Sequence, residues 1–386
     1  MNKIWNIAVW LAWFCFGQKG IFMEHGFERR FIPDSPAQRL CEAMGLGFNL
    51  GNTLDATMGG KHGITGLDLE TAWGNPKTTR QMISAIRAGG IKTMRVPVSW
   101  HDHVSGTDDK IDKAWLDRVC EIVGWCLDED MFVQLNTHHD IVDGFLVPGE
   151  AGFPRAKAFM ENVWGQLTET FRDVDGEKLL FESMNEIRMR GEKYEWTPDY
   201  EDPGCVSAME NINRLNEAFL KTVRNAGGEN AQRYLIIPGY STSTEGVCWD
   251  GFRLPEDSAQ GRLLVASHVY SPAHFTFFLK EGENQLTFDP GDRASTAPVD
   301  ERLEKLYDKF VKNGIPVTIN EFGAVDKDND PERTKCLGYT VAKARSLGIQ
   351  CCYWDNGRLK EYGDGMAIFD RNTCTFVHRE MLDAML

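Results

Sequence analysis

The sequence is short of positive charge and lacks any cysteine motif. Its 386 residues include 42 Lys and Arg against 57 Asp and Glu, which leaves a formal net charge of −15. This balance argues against a nucleic-acid partner, because phosphate binding needs basic patches. The 10 cysteines form no C-x-x-C pair, and without Cys15 an odd number remains, which is not a disulfide framework. No N-x-[ST] sequon occurs either, so the sequence leaves the redox compartment open.

Linkers and low-complexity segments are also missing, so nothing divides the chain into several domains. A mostly apolar stretch at 4–16 has the length of a signal-peptide core and is too short to span a bilayer comfortably. Because no A-x-A-like cleavage site follows it, a short strand or a packed tail is the alternative. We expect a signal-like segment over 1–20, an extension over 21–34 and one folded domain over 35–386. The first segment predicts a secreted, periplasmic or cell-surface protein with no other membrane contact.

Short apolar runs alternate with amphipathic segments, which predicts parallel strands separated by helices. The hydrophobic fraction of 42% and the aromatic fraction of 11% support a large core. Eight apolar runs are apparent, at 46–52, 92–98, 131–138, 178–186, 233–239, 263–270, 316–323 and 350–357. Helical patterns lie between them, for instance at 112–129, 156–173, 207–226, 299–313 and 332–347. Eight such units predict an α/β fold of the (β/α)8 or TIM-barrel type, built as a single domain.

The predicted strands begin apolar and mostly end polar. The residues at these ends include Arg95, His138, His139, Asn185, Glu186, His268, Tyr270, Asn320, Glu321, Trp354 and Asp355. In a barrel the carboxyl ends of all strands open on one face, so we expect these side chains to converge there. The longest connections follow strands four, five and six and should build the walls of a cleft at the same face.

Glu186 and Glu321 are the two acids in this set that can carry chemistry. Breaking a glycosidic bond usually needs two flanking carboxyl groups, one to protonate the leaving oxygen and one to attack the anomeric carbon or activate water. Asn185 can donate a hydrogen bond to the sugar 2-hydroxyl, which strengthens in the transition state. Arg95 can keep one carboxylate ionised by pairing with it, and Tyr270 can donate to the same group.

Eleven tryptophans are unusual for this length, and aromatic faces stack on sugar rings. Trp354 is expected to form the floor of a central sugar site. Trp73, Trp196 and Trp249 lie in segments after strands one, four and five, where each either stacks on a sugar or anchors its loop. The helical patterns hold three more that are expected in the core, namely Trp115, Trp125 and Trp164.

Metal binding has little support in the sequence. His138 and His268 are expected to bind hydroxyl groups or tune the acid. The run His-His-Asp at 138–140 is of a type that binds metals. However, adjacent residues on a strand face opposite ways, which makes joint ligation of one ion awkward. Residues 326–331 resemble the start of a calcium loop, yet a proline stands where that loop needs Gly. We therefore expect no metal and no cofactor.

Nine ordered segments carry a family resemblance from about residue 35 to the end: "GFNLGNTLDA", "ETAWGNP", "RVPVSWHDHV", "LNTHHD", "FESMNEIR", "RYLIIPGY", "SHVYSPAHFT", "INEFGA" and "YWDNG". They look like the motifs of glycoside hydrolase family 5, and within it of subfamily 4. That group holds endo-β-1,4-glucanases, many also active on xyloglucan, mixed-linkage glucan or xylan. The resemblance implies that Glu186 is the proton donor, that Glu321 is the nucleophile and that the configuration is retained, with carboxyls roughly 5 Å apart. It also implies substrate contacts for Arg95, His138, Asn185, His268, Tyr270 and Trp354, to which the matched segments add Asn52, Trp73 and His139.

One departure from the family pattern follows the first acid. The next residue is usually Pro, and here it is Ile187. Proline would fix φ and stiffen the loop, so we expect Ile187 to loosen Glu186 slightly while the activity survives. Glu182 shares the strand parity of Glu186 but lies four residues deeper, so we expect it to pair with a buried cation.

The sequence therefore predicts a secreted, monomeric, retaining endo-glycosidase that cleaves β-1,4-glucosidic bonds in cellulose-type glucans, with the polysaccharide as its partner. The same mechanism on xyloglucan, xylan or mannan is the first alternative, and a barrel that binds glycans without cutting them is the second. The mechanism requires a raised pKa for Glu186 and a lowered pKa for Glu321. The sequence reaches Leu386 soon after its last helical pattern, so we expect action on soluble or amorphous chains rather than on crystalline cellulose.

Overall fold

A computed structural model describes residues 26–280, 282–359 and 364–386. Eight parallel strands form its centre. They are β1 Leu46–Leu50, β2 Thr93–Val96, β3 Phe132–Asn136, β4 Leu179–Glu182, β5 Leu235–Ser243, β6 Leu263–His268, β7 Val317–Phe322 and β8 Gln350–Asp355. Each strand pairs with its neighbours in sequence, and β8 pairs with β1 to close the barrel. The predicted TIM barrel is confirmed, while the signal-like segment 1–20 lies outside the described residues.

Helices follow the strands and cover the outside of the barrel. Within the described part of the chain they are α1 Pro36–Met44, α2 Arg80–Ala88, α3 Lys113–Asp128, α4 Phe153–Thr170, α5 Pro203–Asn225, α6 Thr244–Cys248, α7 Ala273–Thr276, α8 Arg293–Lys309, α9 Asp330–Ser346 and α10 Arg379–Met385. Side-chain caps start several of them, as where Asp112 accepts from the backbone N–H of Trp115. Two short antiparallel ribbons pair 104–105 with 110–111 and 369–370 with 375–376. In the described chain no helix has the length and apolar character needed to cross a membrane.

The core lies between the barrel and its helices. Trp115 of α3 and Trp164 of α4 are fully buried there, as expected, and Trp125 packs against it while partly exposed. The barrel interior is different, because its register places Arg95 of β2 opposite Asn49 of β1 and Gln134 of β3. All three side chains are fully buried, so the barrel encloses polar groups that must satisfy one another.

Most strands end earlier than the apolar runs predict. β4 ends at Glu182 and β3 at Asn136, so Glu186 and His138 lie beyond their strands rather than on them. Beyond the strand ends, isolated hydrogen bonds still hold neighbouring backbone segments together. One of them runs from the N–H of Asn185 to the carbonyl of Thr137. At Glu186 the chain leaves the extended conformation altogether, with φ of +41°.

Candidate active site

Arg95 organises the floor of the site from inside the barrel. Its Nε and Nη2 donate to the two carboxylate oxygens of Glu182, each at 2.7 Å, in a fully buried pair. Nη1 donates to Glu321 Oε1 at 2.6 Å and to Asn49 Oδ1 at 2.9 Å, and Nη2 also donates to Asn185 Oδ1 at 2.8 Å. The expected buried cation for Glu182 is therefore Arg95. One guanidinium ties together β1, β2, β4 and β7.

Glu321 lies near the end of β7, is 5% exposed, and has four polar side chains around its carboxylate. Besides Arg95, the hydroxyl of Tyr270 donates to its Oε2 at 3.0 Å. The Nδ1 of His268 lies 3.4 Å from the same oxygen, and the Nε2 of His138 lies 4.0 Å from Oε1. These contacts fix the carboxylate in one orientation.

Glu186 approaches Glu321 from the loop after β4. Its backbone N–H donates to the hydroxyl of Thr242 at 2.9 Å, and its Oε1 lies 3.0 Å from Nδ1 of His268. One oxygen of each carboxyl group and a ring nitrogen of His268 all lie within 4.8 Å of one another. Carboxyl groups of a retaining glycosidase are about 5–5.5 Å apart, whereas inverting enzymes leave about 6.5–9.5 Å for a water molecule. The geometry fits the first class.

The electrostatics of the pair differ from the expectation. Burial raises the pKa of Glu321, the charges of His268 and Arg95 oppose it, and the nearby Glu186 adds to the rise, so the net direction is upward. Burial also raises the pKa of Glu186, but the hydrogen bond and charge of His268 and the charge of Arg188 outweigh it, so the net direction is downward. These directions are the reverse of the expected order, in which the pKa of Glu186 is raised and the pKa of Glu321 is lowered. The reason is that His268 faces both acids but hydrogen-bonds Glu186.

His138 is a neutral ring in this setting. Burial, followed by the charges of His139, Arg95 and His268, holds its pKa well below the ordinary value. The Nδ2 of Asn136 lies 3.1 Å from its Nδ1, and an amide N–H donates, so the proton of the ring is on Nε2. That N–H points towards the Glu321 side of the site. The ring stacks on Trp354, with centroids 5.7 Å apart and planes 3° from parallel.

Three further predicted contact residues lie at the rim, outside the Arg95 network. His139 is partly exposed, with Nε2 3.6 Å from Asp55 Oδ2 and its ring 5.4 Å from that of Trp73. The indole N–H of Trp73 donates to the carbonyl of Thr57 at 3.1 Å. Asn52 adopts φ of +55° in the turn after β1, and its N–H donates to Asp55 Oδ2. The structure therefore brings the rings of Trp73 and His139 together. It places Asn52 at the start of the loop that carries Trp73.

The other two tryptophans have different surroundings. Trp249 is half-buried and packs against the core, which favours the loop-anchoring alternative. Trp196 is 55% exposed in the loop after β4, with the guanidinium of Arg188 3.7 Å from its ring centroid. Sequence reasoning missed Arg188 and Asn49 as parts of the site. Both stand inside the matched segments, at "NEIR" and "GFNLGN", which was the available signal.

His138 and His139 do not have the alternating strand geometry that the sequence predicts for them. His138 and His139 both lie beyond β3, so they do not face opposite ways, and their rings are 4.4 Å apart. Ligand atoms of Asp55 and the two histidines lie within 4.8 Å of one another. However, Asp55 already accepts backbone hydrogen bonds from Asn52 and Thr53, and Nδ1 of His138 is engaged by an amide. That no metal or cofactor is needed stays a prediction.

A pair of carboxyl groups at this spacing, on the carboxyl face of a TIM barrel and over buried arginine, defines a glycoside hydrolase. The cellulase family model, glycosyl hydrolase family 5, matches residues 56–360. The chain belongs to this family, and it is similar to several proteins named endoglucanase.

Individual relatives agree with the family assignment. Endoglucanase A of Clostridium longisporum is 32% identical over 352 residues, which cover 91% of this chain but only 65% of that protein. A family 5 lichenase structure from Caldicellulosiruptor sp. F32 is 39% identical with a TM-score of 0.91, covering 93% of this chain and 96% of the other. A GH5-4 broad specificity endoglucanase from Ruminococcus champanellensis with bound cellotriose is 35% identical with a TM-score of 0.84, covering 92% and 99%. The expected resemblance to subfamily 4 is thereby confirmed.

Proposed function

We propose that the protein cleaves internal β-1,4-glucosidic bonds by double displacement. Glu321 attacks the anomeric carbon while Glu186 donates a proton to the leaving oxygen. Glu186 then takes a proton from the water that releases the glycosyl group from Glu321. The observation that carries the proposal is the placement of one oxygen of each acid within 4.8 Å across His268.

The proton on Glu186 depends on what occupies the cleft. His268 and Arg188 favour its ionised form, which suits a base. A bound glucan covers the acid and excludes water, and this desolvation favours the neutral form that protonates the leaving group. After the first step Glu321 has lost its charge to the new bond, so the repulsion that disfavours ionisation of Glu186 disappears. The acid of the first step thereby becomes the base of the second.

The remaining residues position the sugar. Asn185 is held by Arg95, which leaves its amide N–H₂ free to donate to the 2-hydroxyl at the cleaved bond. Tyr270 fixes the attacking oxygen of Glu321 by its hydrogen bond. Trp354 lies flat beside His138 and offers a platform for the central sugar ring, with the Nε2–H of His138 beside it.

The rim extends this platform away from the acids. Trp73 and His139 form a second ring pair, and Asn52 lies at the start of the same loop. We assign them contacts with the neighbouring sugar units, which fits a long substrate bound along an open cleft. The acidic net charge of −15 is compatible with a neutral polysaccharide and unsuited to nucleic acid.

The substrate we propose is cellulose-type or mixed-linkage β-glucan. Relatives named endoglucanase, lichenase and broad specificity endoglucanase support this choice, and a relative named a xyloglucan-specific endo-β-1,4-glucanase keeps xyloglucan as the first alternative. Xylan and mannan are the further alternatives. We also propose that the protein is secreted or held at the cell surface and acts as a monomer.

The test is release of reducing sugar from carboxymethylcellulose, lichenan, xyloglucan, xylan and mannan. Glu186→Gln and Glu321→Gln are run beside the wild type, with Glu169→Gln as control, because Glu169 is an exposed glutamate on α4. We expect both site variants to lose activity on every substrate and the control to keep it. If the wild type is silent on all five, the barrel does not act as a glucanase. If either site variant stays active, the two-acid assignment is wrong.

A further inference from the structure

Arg188, two residues past Glu186, contacts both the backbone and the side chain of that acid. Its Nη1 donates to the carbonyl of Glu186 at 2.9 Å and lies 3.7 Å from Glu186 Oε2. Its Nε donates to Glu195 Oε1 at 3.2 Å. The side chain of Arg188 is only 12% exposed, so this is an enclosed contact rather than a loose surface pair.

Glu195 and Trp196, which lie later in the same loop, hold Arg188 in this position. The guanidinium lies 3.7 Å from the ring centroid of Trp196, a residue that is 55% exposed. Glu195 accepts from Arg188 with one oxygen and from the N–H of Gly191 at 2.8 Å with the other. Arg188 is thus stacked on an indole and paired with a carboxylate that the loop itself fixes.

The backbone of Glu186 explains why such a support is needed. A φ of +41° is uncommon and unfavourable for a residue with a side chain, so it persists only when the surroundings enforce it. The next residue is Ile187, and a proline at that position would restrict its φ. Ile187 is fully buried, and the Ser241 N–H donates to its carbonyl, which fixes that residue but not the carboxyl group of Glu186.

We propose that Arg188 is a positioning residue for Glu186, which aims the carboxyl group at the leaving oxygen, and that Trp196 holds Arg188 in place. The inference rests on the proposed role of Glu186 as proton donor. It gives Trp196 a function that does not require contact with sugar. Removing Arg188 then weakens proton donation and leaves attack by Glu321 intact.

Aryl β-cellobiosides separate these two effects. A dinitrophenyl leaving group departs without a proton, whereas a phenyl leaving group needs one. The ratio kcat/KM reports the steps up to glycosyl transfer, so the second half-reaction does not disturb the comparison. We expect Arg188→Ala to lower kcat/KM on phenyl cellobioside by about 10- to 100-fold, part of the 10²–10⁴-fold that general acid catalysis supplies, and to change the dinitrophenyl value by less than about 3-fold.

Matched variants define the source of any loss. Trp196→Ala should reproduce part of the effect and Trp196→Phe much less, because a phenyl face still stacks on the guanidinium. Arg188→Lys should recover only part of the kcat/KM on phenyl cellobioside that Arg188→Ala loses, since an ammonium group cannot donate from two fixed nitrogens at once. Arg190→Ala is the control, because Arg190 lies on the same loop but donates instead to the carbonyl of Ile141.

The pH profile gives a second readout. The charged and titratable groups facing Glu186 are His268, His139, Arg188, Glu321 and Tyr270. Arg188 contributes to the lowered pKa of Glu186, so its loss raises that pKa and moves the basic limb of kcat/KM to higher pH. Arg190→Ala should leave the limb where it is.

The outcomes are distinguishable. An equal loss on both cellobiosides, or no loss on either, overturns the positioning role of Arg188. Glu186→Ala is measured in parallel and must itself show a large loss on phenyl cellobioside and a small one on the dinitrophenyl compound. If Glu186→Ala lacks that difference, the proton-donor assignment fails, and with it the proposed function rather than the inference alone.

Discussion

Glu321 and Glu186 are held by two differently built regions of the cleft. Glu321 is on strand β7 and is bound by Arg95, which is itself fixed inside the barrel by Glu182. Glu186 lies in a loop with a left-handed backbone and is bound by His268 and Arg188. One acid is therefore positioned by the barrel and the other by the loops that cover it. In the proposed mechanism Glu321 must keep one orientation to attack, whereas Glu186 must change its proton state twice in each cycle.

The largest expected effect comes from breaking the barrel side of this comparison. Arg95→Met leaves Glu182 and Glu321 without their buried cation, so we expect a loss of about 3–5 kcal/mol in the free energy of unfolding and no measurable activity. Urea denaturation measures the first and reducing-sugar release the second. Arg188→Met is the matched variant on the loop side, where a loss of only about 1 kcal/mol is expected. Equal losses in the two variants would contradict the distinction.

A smaller change on the barrel side is Tyr270→Phe. It removes one hydrogen bond to Glu321, so we expect kcat to fall about tenfold, or ~1.4 kcal/mol, with little change in the melting temperature. Steady-state kinetics on a soluble β-glucan measure the effect. A variant with unchanged kcat would show that Glu321 does not need the hydrogen bond from Tyr270 for its orientation.

The two acids should have opposite effects on how stability depends on pH. The pKa of Glu321 is raised in the folded state, so its contribution is complete below its unfolded pKa and is lost as pH rises through the folded value. The pKa of Glu186 is lowered, so its contribution is present above its unfolded pKa and is lost as pH falls through the folded value.

Thermal melts of Glu321→Gln and Glu186→Gln between acid and neutral pH test these signs. As pH rises, the wild type should lose stability relative to Glu321→Gln and gain it relative to Glu186→Gln. A change of the same sign in both comparisons would show that His268 does not shift the pKa values of the two acids in opposite directions.

The smallest expected effect is at the rim. Trp73→Ala removes the indole that lies beside His139 but touches neither acid. We expect KM for a soluble β-glucan to rise about threefold, or ~0.7 kcal/mol, while kcat stays the same. A fall in kcat instead would mean that the rim takes part in orienting the reacting sugar.

Much of the barrel could be predicted because the pattern of apolar runs is strong: seven of the eight runs contain a whole strand, and the run 233–239 covers the first part of β5. The parity of Glu182 also predicted its inward direction and its buried cation, now seen as Arg95. The ends of β3 and β4 were placed too late, because hydrogen bonding to a neighbouring strand, not the local sequence, decides where a strand stops. The catalytic roles of Glu186 and Glu321 remain predictions.

Other features depend on contacts that no local pattern contains. The order of the two pKa values follows from His268 lying between acids that are 135 residues apart in the chain. The stacking of Arg188 on Trp196 depends on the path of the loop after β4, where periodicity carries no information. The closeness of His138 and His139 was missed because a rule for extended strands was applied beyond the end of β3.

The position of Arg95 has a consequence for how the barrel unfolds. Its five hydrogen bonds reach β1, β4, the segment after β4, and β7, which belong to both halves of the barrel. Separating the two halves breaks the ion pair between Arg95 and Glu321 and leaves the buried carboxylate of Glu321 without its cation, although Arg95 keeps its pair with Glu182 in the first half. The two halves should therefore unfold together in one cooperative transition, and a fragment that ends before β7 should not keep a native β1–β4 half.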